Sequence, residues 1–528
     1  MNVTDAIDAA ISAFVTKPAK VLPFYLLGTG VGAVARTLPM IAAAIALLSL
    51  HARSNLAEFR ETLMGIDWDE LVEFQEEFGD QPGAEPGFDP GTQDPGVDPD
   101  EAPIEEFEAL GEAFALLVTP EGVLLLTTSI LAAVAVWVVL DAAVAAGQIH
   151  AVYGTLRERP ALTDGVSGLF RDAVPFVGVR LIEILLYLLL TGTIGSIVVI
   201  VAVVDPGLGV VVGVLAFPVW ALSMLVVLAV FLFTPQTIVV DEERTFGAIR
   251  RSAGFIVDRP IDFLAYVVIA IAVIAAALSA SGAFAFLGSE RVPALVFLLV
   301  WPALDLIKTA IYADEEDVVV PGFADRDTEG IVARVKAGTR RSLGELWSFT
   351  KATPGLFVAS MGLFLGGMAA GIAAIGDVRI DIPAPTDPAE VFGVFPVDMF
   401  VEIAINNWLV AVAQSFGGFV LGIPTAASLV FNGFIVGVVG GIAADPMVTA
   451  ALIVPHALLE VPALAISGAL GLYLGVVGWR RARGRIDDEA VGEEIERAFW
   501  VLVGLAFVLI AAAFIEAFIT PWVGVYAV

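Results

Sequence analysis

Residues 406–460 read NNWLVAVAQSFGGFVLGIPTAASLVFNGFIVGVVGGIAADPMVTAALIVPHALLE. The stretch is almost wholly apolar, yet Asn406, Asn407, Gln414, Asn432-Gly433 and the group Pro455, His456, Glu460 punctuate it. Apolar runs above ~18 residues mark membrane-spanning helices. In lipid every polar side chain needs a partner, and a charged one at mid-helix costs roughly 2.5–3.5 kcal/mol. The polar groups of successive helices are therefore expected to face one another in an inward seam.

Outward from this stretch the rest of the chain reads the same way. Of 528 residues, 58% are hydrophobic and 16% charged, against about 25% charged in an ordinary soluble domain. Spans are expected near residues 21–50, 120–147, 173–203, 208–234, 261–287 and 292–312, then near 353–376, 399–421, 423–443, 447–479 and 497–520. That is about 11 crossings of ~20 residues. The fold class is all-α, a polytopic integral membrane protein in two helical blocks. The first block covers 1–313, with an acidic, Pro/Gly-rich extracytoplasmic insert at 58–112; a linker follows at 314–352 and a five-span block at 353–528. The run Val21–Leu50 is too long for a signal-peptide core and reads as a retained first span. The 447–479 run carries Pro455 and Pro462, which predicts a half-helix, a break near His456 and then a full span.

The formal charge is −31, with five lysines and no cysteine. Absent cysteine excludes disulfides, thiolate chemistry and zinc–sulfur sites. Dense carboxylates fit a high-salt medium, where screening removes their self-repulsion. No nucleic-acid partner is expected. Arginine and lysine cluster on one side: Lys17, Lys20, Arg157, Arg250, Arg251, Arg340, Arg341, Arg480 and Arg481 against Arg53, Arg60, Arg291 and Arg379 opposite. By the positive-inside rule the N-terminus is cytoplasmic and the C-terminus extracytoplasmic. The insert begins amphipathic (Phe59, Leu63, Ile66, Leu71, Phe74, Phe78) and runs into Asp89-Pro90-Gly91 and its neighbours, a solvated spacer. Repeated proline breaks the spacing of a calcium loop there. Gly165–Asp172, Thr245–Asp258 and Gly330–Lys351 read as interfacial amphipathic helices that orient the spans after them.

Asn406-Asn407, the glycines that follow, Asn432-Gly433, Pro455-His456 with Glu460, and the closing Glu516-Ala-Phe-Ile-Thr520-Pro521 together resemble the stage II sporulation protein M family over roughly residues 330–528. Ala457 stands where that family usually has glycine. The resemblance implies a non-enzymatic membrane component that helps to localise peptidoglycan-cleaving partners: a scaffold rather than a catalyst. The first block, with Pro235, Val239-Val240-Asp241-Glu242 and Ser252, is loosely similar to an uncharacterised six-span membrane domain, which brings no activity with it.

The residues to follow are therefore Asn406, Asn407, Asn432, Gly433, Pro455, His456, Glu460 and Glu516. No catalytic, cofactor or metal set is read from the sequence, since no phosphate loop, His-Glu-Xaa-Xaa-His or Ser-His-Asp constellation occurs. His456 and Glu460, four apart, share a helix face. They form either a relay or metal pair, or a structural pair in which Glu460 meets Asn407 or Asn432; with no second His or Cys near, the structural reading is preferred. Arg36, mid-run in the first span, needs a carboxylate or a cluster of carbonyls; Glu183 is one candidate, though nothing in the sequence selects that pairing. Asp305 and Lys308 read as an intrahelical ion pair, and Asp141 and Glu183 as side chains snorkelling to water. Gly433/Gly437/Gly441, Gly362/Gly366 and Gly471/Gly475 form small-residue ridges for close helix packing. Three functions remain: a scaffold holding membrane or envelope proteins, a transporter or channel using the polar seam, and an intramembrane enzyme acting on lipid.

Overall fold

The computed structural model describes residues 3–52, 58, 59, 61, 62, 65, 66, 104–285, 291–313, 318, 330–376, 378, 379 and 385–526. The spacer at 89–99 and the acidic run at 314–317 lie outside them. Among the described residues every regular element is helical. The first block comprises α1 (Val3–Thr16), α2 (Pro18–Ala52), α3 (Ile104–Leu117), α4 (Pro120–Leu156), α5 (Ala161–Arg171), α6 (Ala173–Val204), α7 (Pro206–Phe231), α8 (Thr234–Val240), α9 (Thr245–Asp258), α10 (Pro260–Ala285) and α11 (Val292–Tyr312). The second comprises α12 (Ile331–Ala352), α13 (Pro354–Ile375), α14 (Ala389–Phe392), α15 (Val397–Gly417), α16 (Ile423–Ile442), α17 (Pro446–Ala482) and α18 (Asp488–Phe514). A π-helical turn (Ile515–Ile519) then leads into α19 (Thr520–Tyr526).

Among the described residues eleven stretches are long and apolar enough to cross a bilayer, in the order the sequence predicts. The chain is an all-α polytopic membrane protein. Many spans open with proline in the first turn, where the missing N–H would have had no helical partner. Thr119, Asp205, Asp445 and Asp487 cap the N-termini of α4, α7, α17 and α18 through side-chain acceptors.

The expected break at His456 does not occur. α17 runs unbroken through Pro455 and Pro462 for 37 residues. Each interior proline forfeits one backbone hydrogen bond, whereas a true break in hydrocarbon would free several groups at once. The three interfacial segments do form helices, and their burial shows what holds them. On α5, Leu162 lies against Gly492 of α18 and Gly165 against Gly147 of α4, so this elbow joins both blocks. On α9, the Ser252 hydroxyl donates to the Val230 carbonyl and accepts from the Phe233 amide, stitching the end of α7. On α12, Ser342 and Phe349 are buried while Val332, Val335 and Trp347 are exposed.

Glycine sets the tightest packing. A Cβ on Gly433 would lie 2.0 Å from the Phe364 carbonyl oxygen, and one on Gly437 2.0 Å from that of Met368. From the other side a Cβ on Gly367 or Gly371 would fall 2.1 Å from the carbonyl oxygen of Val430 or Phe434. The partner ridge on α13 is thus Gly367/Gly371. Gly362 and Gly366, the pair expected from spacing, meet open space. One residue of register turns a glycine 100° around the helix, so spacing alone does not choose the face. The third ridge is used: Gly471 sits against Thr425 and the Gln414 carbonyl, and Gly475 against Gly422.

The two blocks share a core. α2 packs on α4 and on α15, where Gly30 meets the Phe416–Gly417 backbone. At the basic end Lys20 ties the blocks through Glu496 at 2.6 Å, while Arg341 to Glu496 at 2.9 Å and Arg481 to Asp488 at 2.6 Å brace the second block.

Candidate functional site

The polar residues of the second block form two centres rather than one seam. The first is built around Gln414, fully buried near the end of α15. Its amide nitrogen donates to the Leu464 carbonyl at 2.9 Å and to Ser467 Oγ at 2.7 Å, while its amide oxygen accepts from Ser428 Oγ at 3.2 Å. Thr425 Oγ1 donates to the Gln414 backbone carbonyl, and Ser415 Oγ to that of Ser467. Asn432 extends the chain by donating to the Ser428 carbonyl at 2.8 Å. Three helices, α15, α16 and α17, are thereby cross-linked by buried hydrogen bonds. Gln414 was visible in the sequence as one more polar residue; its place as hub came from the glycines at 418, 422 and 471, which let three backbones converge on it.

Asn406 and Asn407 stand apart from this network. Asn406 donates to Asn407 at 3.1 Å, and the neighbouring Trp408 indole donates to the Leu502 carbonyl of α18 at 2.9 Å. Gly433 is the packing contact described above and carries no chemistry.

The second centre joins α17 to the π turn. One donor atom each from His456, Glu460 and Glu516 lie within 4.8 Å of one another. His456 Nε2 is 4.0 Å from Glu516 Oε2, and its Nδ1 is 3.5 Å from Thr520 Oγ1. Glu460 therefore turns toward Glu516 and not toward Asn407 or Asn432, because on a continuous α17 it shares the face of His456. Pro521 explains the π turn: without an N–H it cannot continue the α-helical ladder, and the widened turn before it holds Glu516. Pro455 opens the turn carrying His456 on the facing helix. Phe400, Phe514 and Phe518 pack edge-on and tilted against one another beside the centre. Above it the short α14 packs on α19, and Glu390 on α14 closes onto the segment just before that helix. That carboxylate accepts from Thr386 Oγ1 at 2.7 Å and from its amide at 2.8 Å, which hold it below the usual carboxylate range.

Arg36 does not meet Glu183. Glu183 is taken by Arg180 of its own helix at 3.4 Å, and Arg180 also reaches Asp141 of α4 at 2.8 Å. The carboxylates expected to snorkel are bridged across helices instead. Arg36 donates to the Gly32 carbonyl and lines a cavity of about 220 Å³ with Gln414, Ser428 and Asn432. The Asp305–Lys308 pair forms at 3.0 Å, joined by the Tyr25 hydroxyl.

A family model described as stage II sporulation protein M matches residues 360–521, a range that holds both polar centres. An uncharacterized protein of Methanocaldococcus jannaschii is 33% identical over 134 residues, 24% of this chain and 74% of the relative. No solved structure matches the chain. With the glycine-packed helices, the Gln414 hub and the Pro-His/Glu-Pro pairing all inside the matched segment, the chain belongs to the stage II sporulation protein M family.

Proposed function

We propose that this protein is a non-enzymatic membrane scaffold that holds or localises envelope-associated proteins. One observation supports the reading most: the amide and hydroxyl groups around Gln414 are spent on each other across three helices. Gln414 satisfies its amide within the protein, and glycine ridges bring helix backbones into contact around it. Such packing favours a rigid platform over helices that rock to pass a substrate. Under this reading the basic end faces the cytoplasm, by the positive-inside rule. The acidic surplus suits work at high ionic strength.

The alternative is a transporter, favoured by the cavity beside Arg36. Crosslinking in native membranes followed by mass spectrometry tests the scaffold: stable protein neighbours are expected, recovered equally from an Arg36→Gln variant. Recovery of no neighbour, together with saturable solute flux in vesicles that the same variant abolishes, overturns it in favour of transport.

A further inference from the structure

The structure leaves two carboxylates of like charge facing each other without a counter-ion. Among the described residues no ion pair joins Glu460 or Glu516 to an arginine or lysine, whereas Glu402 is held by Arg291, Glu496 by Arg341 and Asp488 by Arg481. Both come from apolar helices, His456 and Glu516 only 14% and 21% exposed. Two such charges so placed are costly unless a cation joins them.

We propose that His456, Glu460 and Glu516 bind one divalent transition-metal ion, which pins the C-terminal π turn to α17. One imidazole and two carboxylates make a mixed nitrogen–oxygen donor set of the kind that takes zinc, manganese or cobalt; the imidazole disfavours calcium and magnesium. The net charge of the donor set, −2, matches the ion. Geometry is close to what binding needs. Ligands of a tetrahedral ion at ~2.0–2.1 Å stand about 3.3 Å apart, so the 4.0 Å between His456 and Glu516 closes by less than one ångström. Flexible glutamate side chains supply that movement. Thr520 Oγ1, 3.5 Å from the imidazole Nδ1, is placed as a hydrogen-bond partner that orients the ring, a role such outer groups commonly fill. Three protein ligands leave a position for water. The ligands reside on elements remote in sequence, so the ion acts as a cross-link between the last helix and the core.

The test uses the full chain, purified in detergent and stripped with chelator, then titrated with Co²⁺ and with Zn²⁺. One equivalent of zinc is expected by elemental analysis, with visible ligand-field absorption from cobalt. Glu516→Gln and Glu460→Gln each weaken binding by about 100-fold, while Glu402→Gln, a carboxylate held by Arg291, leaves it unchanged. Zinc should raise the unfolding temperature of the parent protein and not that of Glu516→Gln. This last comparison is made within each folded variant, so a general loss of stability does not mimic it. The proposal is overturned if the parent takes up no metal, or if both glutamine variants bind and are stabilised as the parent is. Metal-independent shifts of stability with pH, in place of uptake, equally overturn it and leave a shared proton as the counter-charge.

Discussion

The α6/α7 hairpin of the first block and the α13/α16 pair of the second are about equally apolar, yet they pack in opposite ways. In the hairpin, Val199, Val203, Val210 and Val214 are 61–81% exposed, and the hydropathic window of α6 has no buried residue. Gly192 and Gly195 meet open space, and Gly209 is pressed against Ala202 at the turn. In the α13/α16 pair, four glycines bring backbone against backbone. Lipid tails are as apolar as valine, so apolarity gives helices no reason to associate. Shape and hydrogen bonds do. The hairpin is therefore a lipid-facing flank, and the glycine pair is the rigid centre.

Substitution at these glycines breaks the comparison most directly. Gly433→Ala places a methyl group on the Phe364 carbonyl, and is expected to destabilise by roughly 1–3 kcal/mol or more. Gly192→Ala is expected to be neutral or to stabilise by up to about 1 kcal/mol, since alanine is the better helix former and nothing stands in its way. Unfolding midpoints in one detergent measure both, and equal effects would end the distinction.

The polar contacts of the two regions sharpen it. Gln414→Leu strips the hub from three helices, with an expected cost of about 1–2 kcal/mol. The corresponding change in the hairpin is Trp220→Phe, which removes the indole donor to Thr191 at 3.1 Å on an exposed face. About 0.5 kcal/mol is expected there. Should the second exceed the first, the centre of rigidity has been misplaced.

The smallest effect belongs to the charged tie at the root of the hairpin. Arg180→Gln leaves Asp141 and Glu183 facing each other across α4 and α6. These side chains are 18–40% exposed, so about 1 kcal/mol or less is expected. The loss should shrink as salt rises from low to high ionic strength, and a salt-independent loss would mean the tie is buried more deeply than its exposure indicates.

Much of this was legible in the residues themselves. Eleven apolar runs, the three amphipathic elbows, the Asp305–Lys308 pair and the Gly433/Gly437 ridge all depend on local spacing, and local spacing is what a sequence displays. Gly362/Gly366 failed as a ridge because two faces of α13 carry glycines at the same interval. For Arg36 the sequence left a carboxylate or carbonyls open without choosing; it took the Gly32 carbonyl of its own helix, while Arg180 claimed Asp141 and Glu183. The break at His456 was overread from two prolines, whose effect depends on what surrounds them.

By itself the sequence determined that this chain is helical, crosses the bilayer many times and hides amides, an imidazole and carboxylates within apolar helices. Hydrocarbon enforces those features on each segment separately, through its length and its unmet hydrogen bonds. Tertiary structure decided which hidden groups meet. Gln414 became a hub, and His456, Glu460 and Glu516 became a separate group, because glycine contacts and a π turn set how each helix is rotated against its neighbours. Rotation is a property of pairs of helices, and no single segment encodes it.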